Sequence, residues 1–121
     1  MNLSLKGIRA IVCGSTQGIG KAIALKLALQ GAAITLIARD KKKLIATQKK
    51  LNSINKNDHN FIVSDFNDLK LLKTRFNDYL KLNIKPTILV NNTGGPPPGL
   101  ISKANLDDFE KLSDIVEVWF D

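Results

Sequence analysis

Residues 14–20, Gly-Ser-Thr-Gln-Gly-Ile-Gly, place three glycines directly after the apolar run IRAIVC and ahead of a segment with helical patterning. Such a bare turn lets a charged ligand approach main-chain N–H groups, and a helix that starts there adds the positive end of its dipole. A phosphate or pyrophosphate is the ligand chemistry that suits it. The P-loop requires four residues between its first glycine and a Gly-Lys pair, then Ser or Thr. Here five residues separate Gly14 from Gly20-Lys21, and Ala22 follows, which disfavours a nucleoside triphosphatase. The G-x-G-x-x-G dinucleotide spacing is not met either, but strand, tight glycine turn and helix N-terminus stand in the order that holds a pyrophosphate.

Few other residues could carry chemistry. Cys13 is the sole cysteine, so there is no internal disulfide and no cysteine cluster for zinc. His59, in NKNDHN, has no companion at metal-ligand spacing and reads as a surface histidine. Asp107, Asp108 and Glu110 read as acids favoured by the dipole at the start of a helix. Tyr79, the sole tyrosine, lies in KTRFNDYLKL and reads as a packing residue with its hydroxyl at the surface. Trp119 and Phe120 read as apolar residues in search of a core or a partner.

The elements that must position these residues alternate along the chain. Residues 8–13, 33–38, 61–63 and 87–90 are nearly continuous in apolar residues, as strands buried on both faces are. Between them, 18–30, 41–54 and 67–82 carry leucine, isoleucine and alanine at three-to-four spacing with lysines opposite, as surface helices do. Gly31 ends the first helix, Asp40 can cap the second and Asn67 or Asp65 the third. Asn105 or Asp107 would cap a last helix running toward the C-terminus. The order β-α-β-α-β-α-β with short connections predicts a Rossmann-like, doubly wound parallel α/β sheet, incomplete, consisting of its first four strands with flanking helices. GGPPPG at 94–99 reads as a rigid loop, so the whole of residues 1–121 reads as one domain.

Composition agrees with a globular chain, at 44% hydrophobic and 24% charged residues. The net charge of +7 raises nucleic acid as a partner. The excess is mostly lysine, its densest run, Lys41-Lys42-Lys43, falls where a surface helix begins, and aromatic interleaving is missing. A solvated helix face is the better reading, and a basic nucleic-acid module is kept as an alternative. There is no secretory leader pattern and no run long enough to cross a bilayer, so a cytoplasmic location without membrane contact is expected.

Cys13-Gly14-Ser15-Thr16-Gln17-Gly18-Ile19-Gly20 resembles the T-G-x-x-x-G-I-G cofactor loop of the short-chain dehydrogenase/reductases, with Cys13 in place of the usual threonine. Arg39 after the second strand, Asp65 after the third, and Asn91-Asn92-Thr93-Gly94 after the fourth, similar to that family's N-N-A-G, extend the resemblance from about Leu5 to about Asp114. The resemblance implies that Gly14, Gly18 and Gly20 turn over the pyrophosphate and that Ser15, Thr16 and Gln17, with Ile19 in the same loop, lie near the phosphates and ribose. Asp65 and Phe66 would border the adenine, while Asn92, Thr93 and Gly94 would line the floor near the adenosine ribose. Asn91 would tie strands together. Members that prefer NAD place an acid at the end of the second strand; Ala38 stands there and Arg39 follows, which implies NADP (NADPH) as cofactor.

The same resemblance implies a ketone reductase or secondary-alcohol dehydrogenase, with a loop similar to those near 3-oxoacyl-thioester reductases. Its catalytic Ser and Tyr-x-x-x-Lys would lie beyond the helix after the fourth strand, and Asn83, not a lysine, stands four residues after Tyr79. Val116 stands where the family carries an asparagine in that helix, and IVEVWFD departs from the family continuation. The chain is therefore expected to end within that helix, to lack turnover by itself, and to leave the fourth strand as an edge prone to self-association or to pairing with a complementary chain. The alternative is a non-enzymatic remnant that binds dinucleotide or nothing.

Overall fold

The computed structural model describes residues 4–14, 16–65, 67–82, 84–92 and 116–119 of the chain. The run RAIVC forms β1 (Arg9–Cys13), in which Ala10, Ile11, Val12 and Cys13 are all fully buried. Successive side chains on a strand point to opposite faces, so a strand apolar at every position needs a cover on both sides. Two cores meet that need. Ala10 and Val12 pack with Ala24, Ala28, Leu44 and Leu51 on one face; Ile11 and Cys13 pack with Leu72, Phe76, Tyr79 and Leu80 on the other.

Helix α1 (Gly18–Leu29) and helix α2 (Lys41–Ile54) supply the first cover, and α3 (Leu69–Leu80) supplies the second. Between them come β2 (Ala33–Ala38), β3 (Asn60–Val63) and β4 (Ile88–Asn91). In α1 the buried positions are small, Gly20, Ala24 and Ala28, which lets the helix lie close to the sheet. In α2 the buried stripe Leu44, Thr47 and Leu51 follows the helical period, with lysines facing outward. Asp40 caps α2 by accepting from the Lys43 backbone N–H at 3.2 Å, as the sequence implied. The cap of α3 is Asp68, whose Oδ1 accepts from Leu71 N at 3.1 Å, rather than Asn67 or Asp65. Asp65 instead accepts from Asn67 N at 2.9 Å, closing the turn that leads into the helix.

The four predicted strands are all parallel, and a fifth, β5 (Val116–Trp119), joins them to give the order β3-β2-β1-β4-β5. The end of the chain departs from the expected helix. Val116 to Trp119 form a strand, not the tail of a helix, and Val116 pairs with Ile88 while Trp119 pairs with Asn91. The physical reason lies in VEVW, a period-2 pattern with β-branched and aromatic residues that suits a strand. With its far side hydrogen-bonded to β5, β4 is not the expected edge and offers no unpaired row of backbone groups for self-association. The expected start of the last helix at Asn105 or Asp107 and the loop at 94–99 lie outside the described residues.

The strand order fixes where a ligand can sit. From β1 the chain steps to β2 and β3 on one side, then crosses to β4 and β5 on the other. The order thus reverses between β1 and β4, and the carboxyl ends of the strands at such a switch point are the place where open α/β sheets bind ligands.

Candidate functional site

At the carboxyl end of β1 the chain must leave the sheet and enter α1 within a few residues. Gly14 donates its N–H to the Ile37 carbonyl at 2.9 Å, the last ladder-like bond, and then turns with φ 69°. Gly18, at φ 60°, starts α1 from the left-handed region, where a Cβ carries a steric penalty. Gly20 answers a different demand. A Cβ built there would stand 2.2 Å from the Gly14 carbonyl oxygen and 3.0 Å from Asn92 Nδ2, so the first turn of α1 lies directly against the glycine turn.

The N-terminus of α1 differs from those of the other two helices. Its N-cap, Gln17, makes no side-chain cap bond, whereas Asp40 and Asp68 cap α2 and α3. A helix leaves its first N–H groups without internal partners; among the described residues no side chain caps those of α1, and an anion suits them and the dipole.

A cleft of about 780 Å³ opens above this turn, across the carboxyl ends of β1, β2 and β3, a volume in the range of small-molecule and cofactor sites. Gly14, Thr16, Gln17, Gly18 and Ile19 form one wall, Arg39 and Asp65 rise from the ends of β2 and β3, and Asn92 follows β4. Eight of the sequence-derived site residues thus share one cleft, and Gly20 lies beneath it. Ser15, Phe66, Thr93 and Gly94 lie outside the described residues. Asn91, predicted to tie strands together, is buried at the end of β4, in register with Cys13 on one side and Trp119 on the other.

The cleft also contains residues that sequence reasoning missed. Lys43, Ser64 and Asn67 line it as well, beside Asp40, which the sequence offered as the cap of α2. Ser64 is 2% exposed, and its N–H donates to the Ala38 carbonyl at 2.9 Å, but its hydroxyl has no hydrogen-bond partner among the described residues. A buried hydroxyl without a partner costs about 1–3 kcal/mol, which a polar ligand atom in the cleft would offset. The Asp65 carboxylate is held by Asn67 N and so presents a fixed acceptor at the end of β3. The only signal for these residues was adjacency in sequence to Arg39 and Asp65.

The remaining candidates lie elsewhere. Tyr79 is 5% exposed, and its hydroxyl is 2.7 Å from Thr35 Oγ1, so the predicted surface hydroxyl is corrected to a buried one. Thr35 Oγ1 donates in turn to Asn60 Oδ1 at 2.6 Å, and Arg9 donates to Thr35 Oγ1 at 3.1 Å, a network near the amino ends of β1 and β3 and away from the cleft. Burial raises the Tyr79 pKa above its ordinary 10.0, against the smaller lowering by the Thr35 bond and Arg9. His59 is corrected too. It is 3% exposed, and Nδ1 accepts the Ile34 N–H at 3.0 Å, which stitches the loop before β3 to β2. Burial pushes its pKa below 6.5. The Cys13 thiol, fully buried, is pushed up to about 12 and is no nucleophile. Among the described residues no group of three or more His, Cys, Asp or Glu could hold a metal ion, and no helix is long and apolar enough to cross a membrane.

A switch-point cleft, a bare glycine turn and an uncapped helix N-terminus together fit a dinucleotide, and comparison with known proteins agrees. The short chain dehydrogenase family model matches residues 9–116. The chain belongs to the short-chain dehydrogenase family. It is 42% identical over 85 residues to hydroxysteroid dehydrogenase-like protein 1 of Gallus gallus, covering 70% of this chain and 25% of that protein. It is 32% identical over 117 residues to 3-ketodihydrosphingosine reductase of Mus musculus, covering 93% of this chain and 35% of that protein. Among solved structures, L-sorbose reductase of Gluconobacter frateurii, complexed with NADPH and L-sorbose, superposes with a TM-score of 0.70 at 25% identity, over 95% of this chain and 44% of that one. The short-chain dehydrogenase chain described here thus spans about a quarter to a third of the length of these two curated relatives. Short-chain dehydrogenases are oxidoreductases that use nicotinamide dinucleotides, and the glycine cradle and uncapped α1 N-terminus are suited to that cofactor's pyrophosphate.

Proposed function

We propose that residues 1–121 are the NADP-binding portion of a short-chain oxidoreductase that reduces a ketone or oxidises a secondary alcohol. The observation that carries the choice of NADP is Arg39. It stands exposed at the cleft rim directly after β2, next to Ala38, where a carboxylate would otherwise take the ribose hydroxyls of NAD. A guanidinium can meet a 2′-phosphate with paired, charge-assisted hydrogen bonds. Asp40, the nearest carboxylate in sequence, is engaged as the cap of α2, which supports the guanidinium as the group for the ribose end. The 3-ketodihydrosphingosine reductase and L-sorbose reductase relatives support carbonyl reduction as the reaction class, and the NADPH in the latter supports the cofactor.

In this reading the glycine turn and the first N–H groups of α1 hold the pyrophosphate, Asp65 and Ser64 border the adenine, and Asn92 lies under the adenosine ribose. The bound dinucleotide supplies the hydride. The proton for the developing alkoxide must come from a group at the substrate, and Tyr79, buried against Thr35, does not face the cleft. Turnover therefore depends on the Ser and Tyr-x-x-x-Lys of the family, supplied by further residues of the same polypeptide or by a complementary chain. A cytoplasmic location fits a soluble NADPH pool. Calorimetric titration of the chain with NADPH and NADH tests the cofactor. Tighter binding of NADPH by about ten- to a hundredfold, mostly lost in Arg39→Ala, is expected. Equal affinities in the parent chain would make Arg39 an ordinary surface residue.

A further inference from the structure

On the side away from β4 the sheet ends on β3, with no strand beyond it among the described residues. Ser64, directly after β3, donates its N–H to the Ala38 carbonyl of β2 at 2.9 Å. In a ladder, successive residues turn their N–H and C=O groups alternately to one side and the other, so those of Asn60, Ile62 and Ser64 serve β2 and those of Phe61 and Val63 point outward. One outward group is occupied: the Arg75 guanidinium, from α3, donates to the Val63 carbonyl. The Phe61 N–H and C=O and the Val63 N–H have no partner among the described residues.

A groove of about 630 Å³ runs along this edge, and its two ends differ in charge. Arg75, bonded to Val63, and Lys41, the first residue of the helix that follows β2, stand at the carboxyl end of β3. Because α3 runs back along the strand, Asp78 and Leu82 come toward the amino end, where the adjacent Tyr79 hydroxyl meets Thr35, the register partner of Asn60. Leu82 is largely exposed there, an apolar side chain beside an open backbone.

We propose that this edge is a docking surface for a second copy of the chain, with β3 pairing antiparallel to β3 about a two-fold axis at Ile62. A two-fold interface presents one patch twice, so the patch must complement itself. The edge does so in both backbone and charge. Around Ile62, Phe61 of each copy faces Val63 of the other as an antiparallel hydrogen-bonded pair, which uses the outward N–H and C=O groups and none that serve β2. The same axis lays the carboxyl end of one β3 beside the amino end of the other, so Arg75 and Lys41 of each copy meet Asp78 of the other, and each Leu82 gains a cover. Arg75 then leaves the Val63 carbonyl to the second copy and takes a carboxylate in its place, a charge-assisted bond. Parallel pairing would instead set cations beside cations. The strand is short, so the interface belongs to the small, weak class and the pair forms as concentration rises.

The test is sedimentation velocity of the chain over a wide concentration range, with circular dichroism confirming that each variant is folded. The parent is expected to show a monomer–dimer equilibrium that weakens with added salt. Asp78→Arg sets cation against cation and should weaken dimerisation by about tenfold or more, and the charge-swapped double variant, Arg75→Asp with Asp78→Arg, should recover most of the loss. Val63→Pro deletes an outward N–H, leaves the bonds to β2 in place and should abolish the dimer. Arg75 and Asp78 are exposed on α3, so their variants keep the test decisive if Val63→Pro does not fold. A parent that stays monomeric throughout would overturn the proposal and leave Arg75 as the guard of an unpaired edge. A dimer indifferent to Asp78→Arg would overturn it too, by placing the contact elsewhere.

Discussion

Replacing Gly20 with alanine separates helix propensity from the packing of the glycine turn. In an exposed helix the change gains about 1 kcal/mol, since alanine loses less backbone entropy. Here the new Cβ would stand 2.2 Å from the Gly14 carbonyl oxygen, where ordinary contact begins near 3.4 Å, a shortfall of roughly 1.2 Å. The obstructing atom is backbone and cannot rotate away, and Asn92 Nδ2 blocks a second direction at 3.0 Å. Relief requires moving the turn off α1, and overpacking of this kind costs about 1–3 kcal/mol. Net stability should therefore fall by roughly 0–2 kcal/mol by these opposing terms. Binding should suffer more, because the N–H groups proposed to hold the pyrophosphate move with the turn, and a displacement near 1 Å is expected to cost tenfold or more in affinity, about 1.4 kcal/mol. Urea unfolding and calorimetric NADPH titration measure the two effects. Gly18→Ala is the companion variant: nothing lies within 4 Å of its Cβ, so it should lose about 1–2 kcal/mol from φ +60° alone, and Gly18→Asn should recover part of that. If Gly20→Ala raised the urea midpoint and left NADPH affinity unchanged, the close approach of α1 to the turn would be wrong.

Tyr79→Phe removes one of the partners of Thr35 Oγ1 and should cost about 0.5–1.5 kcal/mol by denaturant titration, with no change in dinucleotide affinity, since the network lies away from the cleft. The Tyr79 pKa is raised in the folded state, so the folded chain holds that proton more tightly than the unfolded one; stability should decline as pH rises above about 10, less steeply in Tyr79→Phe, and identical alkaline profiles would speak against the buried hydroxyl. For His59 the sign is opposite. Its folded pKa is depressed, so its contribution is present above about pH 6.5 and is lost as pH falls below it; thermal unfolding between pH 7.5 and 5 in the parent and in His59→Gln should show the parent losing more.

Much of this architecture was legible in the sequence because the signals were local. AITLIA gave β2 at residues 33–38, and the lysine-rich period gave α2 at Lys41–Ile54 with Asp40 at its cap, because a short polar side chain before an amphipathic run has one helix terminus to serve. The glycines of the turn were legible for the same reason: Gly14 and Gly18 occupy backbone angles that other residues avoid. The contact behind Gly20 was not, since it depends on where the Gly14 carbonyl lies once α1 has docked.

Tertiary structure decided what distant residues make of one another. NKNDHN looks like a solvent-exposed loop, but His59 is buried because Ile34, on a strand 25 residues earlier, has an N–H near the amino end of β2 that needs an acceptor. Tyr79 faces the sheet on the buried stripe of α3, and Thr35, inside an apolar strand, supplies the hydroxyl that satisfies it. VEVW became β5 because β4 offered an unpaired row of backbone groups, a partner that no local pattern names. Lys43 shares its residue type and neighbourhood with Lys41 and Lys42, and only the position of the cleft relative to the first turn of α2 distinguishes it. Sequence specified the elements and the bare turn because backbone conformation and burial period are written residue by residue. The fifth strand and the buried polar network were set by the fold, because each is a relation between residues that only the packed sheet brings together.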